Sequence, residues 1–359
     1  MPHASGYFRS HYERDLALLD TRTQKSAFAV FALALLVFPW FDAPFLLDLA
    51  NQVLLASMGA VALMLLTGYA GQVSLGHAGL LAAGAFTTGI LFKEFGAPFW
   101  ITLPTSAVVG ATLGVVFGLP SLRLRGLYLA VSTLALHFIV IYAGNEYESR
   151  RGFSTGVVID SPAFSTPFGG WVLTDARAWY FVLLAFASGM QLFSLNLLRS
   201  NTGRAWRAIP GREAVAEALG VNVRAYKLIA FVISSAMTAV AGCLFAYYRG
   251  FVSAEAFSLF LTIQYVAMVI IGGLGSLLGA VLGAVFVTLL PYAIERLMTA
   301  LPVPAAWSNS MFAINYAAFG LVMLLFLVFE PQGLVGIWSR VQSYFLLWPF
   351  KHKPLTGRQ

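Results

Sequence analysis

Charged residues are scarce in this sequence: Asp, Glu, Lys and Arg make up 10% of its 359 residues, whereas a typical soluble domain has about 25%. The sequence contains one cysteine, Cys243, which excludes a disulfide within the chain and a metal site built from several thiolates. Residues 1–26 lack the cationic start, apolar core and small-residue cleavage site of a secretory signal peptide. The composition therefore argues against a disulfide-stabilised or thiolate–metal soluble domain.

Signatures of nucleotide binding and of hydrolytic metal sites are missing as well. No G-x-x-x-x-G-K-[ST] loop occurs, so the usual backbone cradle for a nucleotide phosphate is absent. No H-E-x-x-H pair occurs either. Few ionisable residues fall inside the apolar runs, whereas an ion-coupled carrier generally needs buried carboxylates in its pathway. We therefore expect no catalytic residue, cofactor or metal in this chain, and an external source of energy for any transport.

Long apolar runs dominate what is present. Hydrophobic residues make up 59% of the chain, and the mean hydropathy is +0.79. Runs of about 20 apolar residues indicate helices that span a bilayer, because lipid cannot hydrogen-bond an open backbone. The runs cover residues 27–40, 49–68, 72–92, 99–118, 127–143, 178–198, 228–248, 257–273, 277–297 and 311–329.

These runs predict an all-α polytopic membrane protein with about ten transmembrane helices and both termini in the cytoplasm. The net charge of +7 is then explained by basic cytoplasmic loops and not by a nucleic-acid-binding surface. The predicted division is a cytoplasmic tail over residues 1–26, a transmembrane domain over 27–330 and a second cytoplasmic tail over 331–359.

The most basic polar stretch between apolar runs is residues 199–227, which we call the basic island. It carries six cations against two carboxylates, Glu213 and Glu217. Residues 212–219 have a helix-forming composition, Pro210 favours a helix start, and Gly220 favours a helix stop. A short basic helix between two membrane spans predicts a docking surface on the cytoplasmic side.

Small residues recur at helical spacing in two places. Such ridges let helix backbones approach closely in a membrane, where packing replaces the hydrophobic drive that lipid does not supply. Ordinary helix packing is the main interpretation, and a moving, gated contact is the alternative. The two ridges are Gly110, Gly114 and Gly118, and Gly275, Gly279 and Gly283.

Residues 68–79 place three polar side chains among several glycines at a membrane boundary or inside a span. Polar groups at that depth need partners or a water-filled cavity, and glycine-interrupted helices in transporters often open their backbone to a cavity. One interpretation is a translocation path, and the other is that Gln72 and His77 hydrogen-bond neighbouring helices. A metal site at His77 is not expected, because no second ligand lies at helical spacing. The candidate path residues are Gly71, Gln72, Ser74, Gly76 and His77.

Four stretches together resemble a known permease family: GYAGQVSLGHA (residues 68–78), LRGLYLAVSTLA (124–135), residues 207–231 and residues 272–283. The resemblance is to the branched-chain amino acid ABC importer permeases, of the LivM-like subunit type. It implies a second homologous permease subunit, two cytoplasmic ATPase subunits that hold ATP and Mg, and a periplasmic or extracellular substrate-binding protein. It also implies a location in the bacterial inner membrane, surrounded by lipid.

The resemblance further implies that the island holds the segment that seats in a groove of the ATPase. Glu213 and Glu217 would pair with basic groups on the ATPase, whereas Arg204 and Arg207 would meet either its acidic rim or lipid phosphates. The implied coupling residues are Arg204, Arg207, Glu213, Ala214, Glu217, Ala218 and Gly220.

The cargo remains open at this stage. Branched-chain amino acids are the default that the resemblance implies, and urea, short amides or aromatic acids are alternatives. The sequence departs from the family pattern at the external loop of residues 151–156, which bears on contact with a binding protein. A self-sufficient secondary carrier or channel is the rival from a different class.

Overall fold

A computed structural model of the protein describes residues 22–41, 44–122, 127–153, 156–160, 162–166, 169–172, 175–300, 311–330 and 332–347. Most of the predicted N-terminal tail and the last 12 residues of the predicted C-terminal tail lie outside these ranges.

The fold is predominantly helical, as the apolar runs predict. The helices are α1 (Arg22–Val37), α2 (Pro44–Leu63, continued by a π-helical turn over Met64–Tyr69), α3 (His77–Phe95), α4 (Phe99–Ser121), α5 (Leu127–Arg151), α6 (Ala176–Arg199), α7 (Asn201–Ala208), α8 (Glu213–Ala218), α9 (Val223–Arg249), α10 (Leu259–Gly272), α11 (Leu277–Ala300), α12 (Met311–Phe329) and α13 (Gly333–Leu347). Short 3-10 turns cover Phe38–Trp40 and Ala254–Phe257. Four short strands complete the order: β1 (Val157–Val158), β2 (Ala163–Thr166), β3 (Gly169–Val172) and β4 (Phe251–Val252).

The membrane class is confirmed by the helices themselves. Within the described residues, 6 helices are long and apolar enough to cross a membrane: Pro44–Tyr69, Phe99–Pro120, Tyr128–Arg151, Ala176–Arg199, Val223–Arg249 and Leu277–Leu297. Shorter apolar helices cover Lys25–Trp40, Leu259–Gly272 and Tyr316–Phe326. The chain is therefore a multi-pass, all-α membrane protein, and the count of about ten crossings stays a prediction.

Helix α3 lies at the centre, against both α4 and α9. A methyl group built on Gly84 of α3 would lie 1.9 Å from the carbonyl oxygen of Ala239 in α9. One built on Gly242 of α9 would lie 2.0 Å from the carbonyl oxygen of Leu81 in α3. Because backbone meets backbone, only glycine fits at these crossings.

The first predicted ridge faces α9 along its whole length. A methyl group on Gly110 would lie 2.6 Å from the Ser235 carbonyl oxygen, and one on Gly114 would lie 2.9 Å from a backbone carbon of Val232. A methyl group on Gly118 would lie 2.9 Å from the Leu228 side chain. The ridge therefore lets α4 and α9 pack closely.

The second ridge divides into two parts. Gly279 and Gly283 of α11 pack on α10, since added methyl groups would lie 2.7 Å from the Gly272 oxygen and 1.8 Å from the Met268 oxygen. Gly275 lies before α11 begins, in a turn with a left-handed φ of 80° that favours glycine.

Two of the membrane helices follow irregular stretches that start alike. Gly71-Gln-Val-Ser precedes α3 and Gly250-Phe-Val-Ser precedes α10, and both glycines have left-handed φ angles, 68° and 72°. The helix expected from residue 72 therefore begins only at His77, because the chain turns at Gly71. The helix expected from residue 257 begins at Leu259.

The segment between α5 and α6 packs on the second of these stretches. Strand β1 pairs antiparallel with β4, and Val157 lies opposite Val252. Strands β2 and β3 form a separate antiparallel hairpin. Helix α5 itself continues to Arg151, beyond the expected end of the apolar run at residue 143, so residues 144–151 are helical as well.

Both predicted tails contain helix at their inner ends. Residues 22–26 belong to α1, and the C-terminal tail contains α13. Gly333, the first residue of α13, packs on the end of α10, because a methyl group there would lie 2.5 Å from the Ile271 oxygen.

The central packing generates a stability prediction. Gly84→Ala should destabilise the fold by about 1–3 kcal/mol, because even one methyl group overpacks a backbone contact. The measurement is thermal unfolding followed with a thiol-reactive dye, since the lone cysteine, Cys243, is buried and reacts only after unfolding. Gly189→Ala is the matched control, because nothing lies within 4 Å of its added methyl group. Equal unfolding temperatures for both variants would contradict the close packing.

Candidate functional site

The basic island folds into two short helices, α7 and α8, between α6 and α9. The turns on either side of α8 contain glycines with left-handed φ angles, 73° at Gly211 and 86° at Gly220. The Gly220 N–H donates to the Glu217 carbonyl at 2.9 Å, and the Val221 N–H donates to the Ala216 carbonyl at 3.0 Å. This is a glycine-terminated helix end, so the sequence-predicted start and stop of this helix hold to within a residue.

Helix α7 is anchored to the beginning of α9. Trp206 is fully buried, and its indole Nε1–H donates to the Tyr226 carbonyl at 2.9 Å. Gly203 lies so close to Leu198 that an added methyl group would be 2.3 Å from its backbone. The anchor makes α7 a fixed support for α8.

Helix α8 presents most of its surface outward. Ala216 is buried, whereas Ala214, Glu217 and Ala218 are exposed. Val215 is 56% exposed and Leu219 is 78% exposed. Their four-residue spacing places both apolar side chains on one side of the helix, which is a signal that the sequence itself contains. Glu217, two positions from each of them, is exposed on a different side of the helix.

Some charged side chains of the island have partners inside the chain. Lys227 Nζ forms an ion pair with Glu213 Oε1 at 2.6 Å, which ties α8 to α9. Glu213 therefore has a basic partner inside the chain, whereas Glu217 is exposed. Arg204 hydrogen-bonds the Asn201 side chain, and the Arg207 guanidinium lies 5.8 Å from the centre of the Tyr69 ring.

The candidate path residues lie in the irregular stretch of residues 70–76, which we call the interrupted segment, and at the start of α3. Gly71 is exposed, whereas Gln72, Ser74, Gly76 and His77 are buried. One end of the segment contacts the island directly. Gln72 Nε2 donates to the Lys227 carbonyl at 3.0 Å, which is the kind of helix tie that the second interpretation expects.

The other end of the segment leads directly into the N-terminus of α3. The Leu75 N–H donates to Thr133 Oγ1 in α5 at 2.8 Å. The Ala78 N–H donates to Thr262 Oγ1 in α10 at 3.0 Å. Helix N-termini leave backbone N–H groups without intrahelical partners. Here the hydroxyl oxygens of threonines from two other helices accept hydrogen bonds from backbone N–H groups at and just before this end. Neither threonine is among the residues predicted from the sequence.

His77 packs against side chains and backbone of neighbouring helices. Its ring packs edge-on against Tyr265, with ring centres 4.7 Å apart, and it interacts with the backbone of Gly59. Among the described residues, no group of three His, Cys, Asp or Glu side chains could hold a metal ion. His137 lies next to the start of α3, since a methyl group on Gly79 would be 2.7 Å from its Cα.

An apolar groove of about 440 Å³ lies between α6 and α9, away from the candidate path residues. Its lining residues are Ala185, Phe186, Gly189, Met190, Phe193 and Val240.

The sequence Gly152-Phe-Ser-Thr-Gly156 matches the serine-nucleophile pattern G-x-S-x-G, but it follows helix α5 and not a strand. It therefore lacks the strand-to-helix context that a nucleophile elbow requires.

Comparisons with known proteins agree on one family. Residues 45–329 match the family described as "Branched-chain amino acid transport system / permease component". The chain is 31% identical over 345 residues to the high-affinity branched-chain amino acid transport system permease protein LivM of Salmonella typhimurium, covering 89% of this chain and 77% of that protein. The LivM protein of Escherichia coli K12 gives the same identity and coverage.

More distant relatives carry a different cargo name. The chain is 27% identical over 300 residues to the autoinducer 2 import system permease protein LsrC of Escherichia coli O9:H4, covering 79% of this chain and 77% of that protein. No solved structure matches the chain. A family match over most of the membrane region, together with 31% identity to LivM proteins, shows that the chain belongs to the branched-chain amino acid transport system permease family.

Proposed function

We propose that this chain is the membrane-spanning permease subunit of an ATP-driven importer of branched-chain amino acids, driven through helix α8. The observation that carries the docking assignment is the geometry of α8. Glycine turns and the Lys227–Glu213 ion pair hold this helix outside the long apolar helices, and it presents Val215, Glu217 and Leu219 outward. An amphipathic helix of this kind fits a groove on a partner protein.

The proposed topology has about ten crossings with both termini in the cytoplasm of a bacterium, across its inner membrane. Counting α1 to α6 and α9 to α12 as crossings puts the basic island on the same side as both termini, in keeping with the excess of Arg and Lys on cytoplasmic loops. Within that arrangement, the predicted external loop of residues 151–156 lies on the opposite side, where a binding protein would deliver the cargo.

The proposed partners are a second homologous permease subunit, two cytoplasmic ATPase subunits and a substrate-binding protein. ATP and Mg are assigned to the ATPase subunits, and this chain is assigned no catalytic residue and no cofactor. This division follows from the family, whose description is that of one component of a transport system, and from the missing phosphate-binding loop.

The proposed mechanism is alternating access. Closure of the ATPase subunits moves α8, and the Lys227–Glu213 ion pair and buried Trp206 carry that movement to α9. Helices α3, α4 and α9 pack backbone to backbone and so move as one body. The candidate path residues are unchanged, and Gly71 is the exposed one among them. They are Gly71, Gln72, Ser74, Gly76 and His77.

The proposed cargo is supported by the relatives named for branched-chain amino acids, which are similar to this chain over 89% of its length. Urea, short amides, aromatic acids and the LsrC-type cargo are outcomes of the cargo test. A self-sufficient carrier or channel remains the rival class, and the uptake test distinguishes it from the importer.

The first prediction concerns energy and cargo. Liposomes that contain the permease pair and the ATPase subunits should take up leucine only with ATP inside and binding protein outside. Competition with valine, phenylalanine and urea then ranks the cargo classes. Leucine uptake by the purified chain alone under an ion gradient would contradict the importer and favour a secondary carrier.

The second prediction concerns the docking helix. Glu217→Lys reverses an exposed charge on α8 and should reduce uptake about tenfold, equivalent to losing a contact of about 1.4 kcal/mol, while ATP hydrolysis continues. The measurement is leucine uptake and phosphate release in the same liposomes. Glu217→Gln is the matched control and should retain most of the uptake. Wild-type uptake by Glu217→Lys would show that α8 is not the docking helix.

The third prediction concerns orientation. Ala214→Cys places an exposed thiol on α8, while the native Cys243 is buried and does not interfere. A membrane-impermeant maleimide should label this variant in inverted vesicles and not in intact spheroplasts. Ser149→Cys near the outer end of α5 is exposed as well and should show the reverse pattern. Labelling of Ala214→Cys from outside the cell would overturn the proposed topology.

A further inference from the structure

The interrupted segment, residues 70–76, and Tyr69 just before it contact the basic island at three separate points. Arg207 of α7 lies over the ring of Tyr69, which immediately precedes the segment. The Pro210 side chain, in the turn before α8, faces Gly71 so closely that an added methyl group would lie 3.2 Å from it. Gln72 hydrogen-bonds the Lys227 carbonyl near the start of α9. The segment therefore touches the parts of the island that support α8 on both sides.

The backbone of this region is not a regular α-helix. Helix α2 ends in a π-helical turn over Met64–Tyr69. The Ala70 N–H then donates to the Leu65 carbonyl, and the Gln72 N–H donates to the Leu66 carbonyl, five and six residues back. Wide turns of this type cluster at functional sites. Residues 70–76 have no regular series of helical hydrogen bonds. Movement of the island therefore need not break such hydrogen bonds.

The far end of the segment holds contacts with two other helices. Thr133 of α5 accepts the Leu75 N–H, and a methyl group on Gly76 would lie 2.3 Å from the Thr133 carbonyl oxygen. Thr262 of α10 accepts the Ala78 N–H in the first turn of α3. Thr133 is the seventh residue of α5, so these contacts lie about 9 Å along that helix. Displacement of the segment would shift α3 relative to both helices.

We infer that the interrupted segment is the transmission element that couples movement of the docking helix to the contacts of α3 with α5 and α10, with Gln72 and Thr133 as positioning residues at its two ends. The inference rests on the proposed function, because it needs a docking helix that moves. It assigns to the segment a mechanical role that contact with cargo does not require.

A merely structural tie would behave differently from a transmission element. Loss of a structural tie lowers the amount of folded protein, and it lowers uptake and ATP hydrolysis together. Loss of a transmission contact leaves ATP hydrolysis running and lowers the cargo moved for each ATP. The ratio of leucine uptake to ATP hydrolysed separates the two roles.

The test uses the complete importer in liposomes, with radiolabelled leucine as the probe. Gln72→Met keeps the side-chain length and removes the donor to Lys227, and Thr133→Val keeps the shape and removes the acceptor for Leu75. Each should lower the leucine-to-ATP ratio by about fivefold or more, which is the lower end of typical coupling between sites. Thr102→Val is the matched control: it removes a buried hydroxyl that hydrogen-bonds Tyr247 at 2.8 Å, in the α4–α9 contact away from the segment, and should leave the ratio unchanged.

The outcomes separate this inference from the proposed function. If the wild type shows no ATP-driven uptake, both are overturned. If the wild type transports and Glu217→Lys uncouples it while Gln72→Met and Thr133→Val keep the normal ratio, the inference alone is wrong. An equal loss in Thr102→Val would show general loosening of the bundle and would also overturn it.

A second measurement does not depend on the folding of those variants or on the cargo. Val73 lies within the segment and is 46% exposed, so Val73→Cys reports on the segment with a conservative change. Its alkylation rate should differ about fivefold or more between the nucleotide-free complex and the complex trapped with ATP and vanadate. Ser149→Cys, outside the segment, should react equally in both states. Equal rates at Val73→Cys would overturn the inference.

Discussion

A backbone N–H group inside a membrane-spanning bundle must find a hydrogen-bond partner within the protein, because lipid offers none. That constraint is most demanding at the start of α3, which begins beside the seventh residue of α5 and not at the end of the bundle. Thr133 and Thr262 meet it with side-chain oxygens. The position of α3 therefore depends on α5 and α10, and the other helices are arranged around it.

Close packing around α3 follows from the same setting. Lipid supplies little hydrophobic drive between helices, so van der Waals contact has to hold them together. Gly84 and Gly242 bring α3 and α9 to backbone contact, and Gly110 does the same for α4 and α9. The hydroxyls of Thr88 and Ser106 add a buried hydrogen bond of 3.1 Å between α3 and α4. A rigid centre of three helices results, to which mobile parts can be attached.

The basic island joins this rigid centre at one side. Trp206 and the Lys227–Glu213 ion pair connect its short helices to α9, and Gln72 connects α9 to the stretch before α3. Helix α8, which we propose docks on a partner, is thus held by the same contacts that hold the interrupted segment. For a chain of a family described as one component of a transport system, this arrangement is the route that we propose between the ATPase subunits and the interior of the bundle.

Local sequence alone was enough for the membrane class, the short helix ending at Gly220 and the close-packing role of Gly110, Gly114 and Gly118, because hydropathy, helix propensity and glycine backbone freedom act within a few residues. Only the tertiary structure decided that the third apolar run starts its helix at His77, that Gln72 binds Lys227, 155 positions away, and that Val215 and Leu219 face outward. A buried polar group takes its partner from whichever helices pack beside it, and that choice is a property of the assembled bundle.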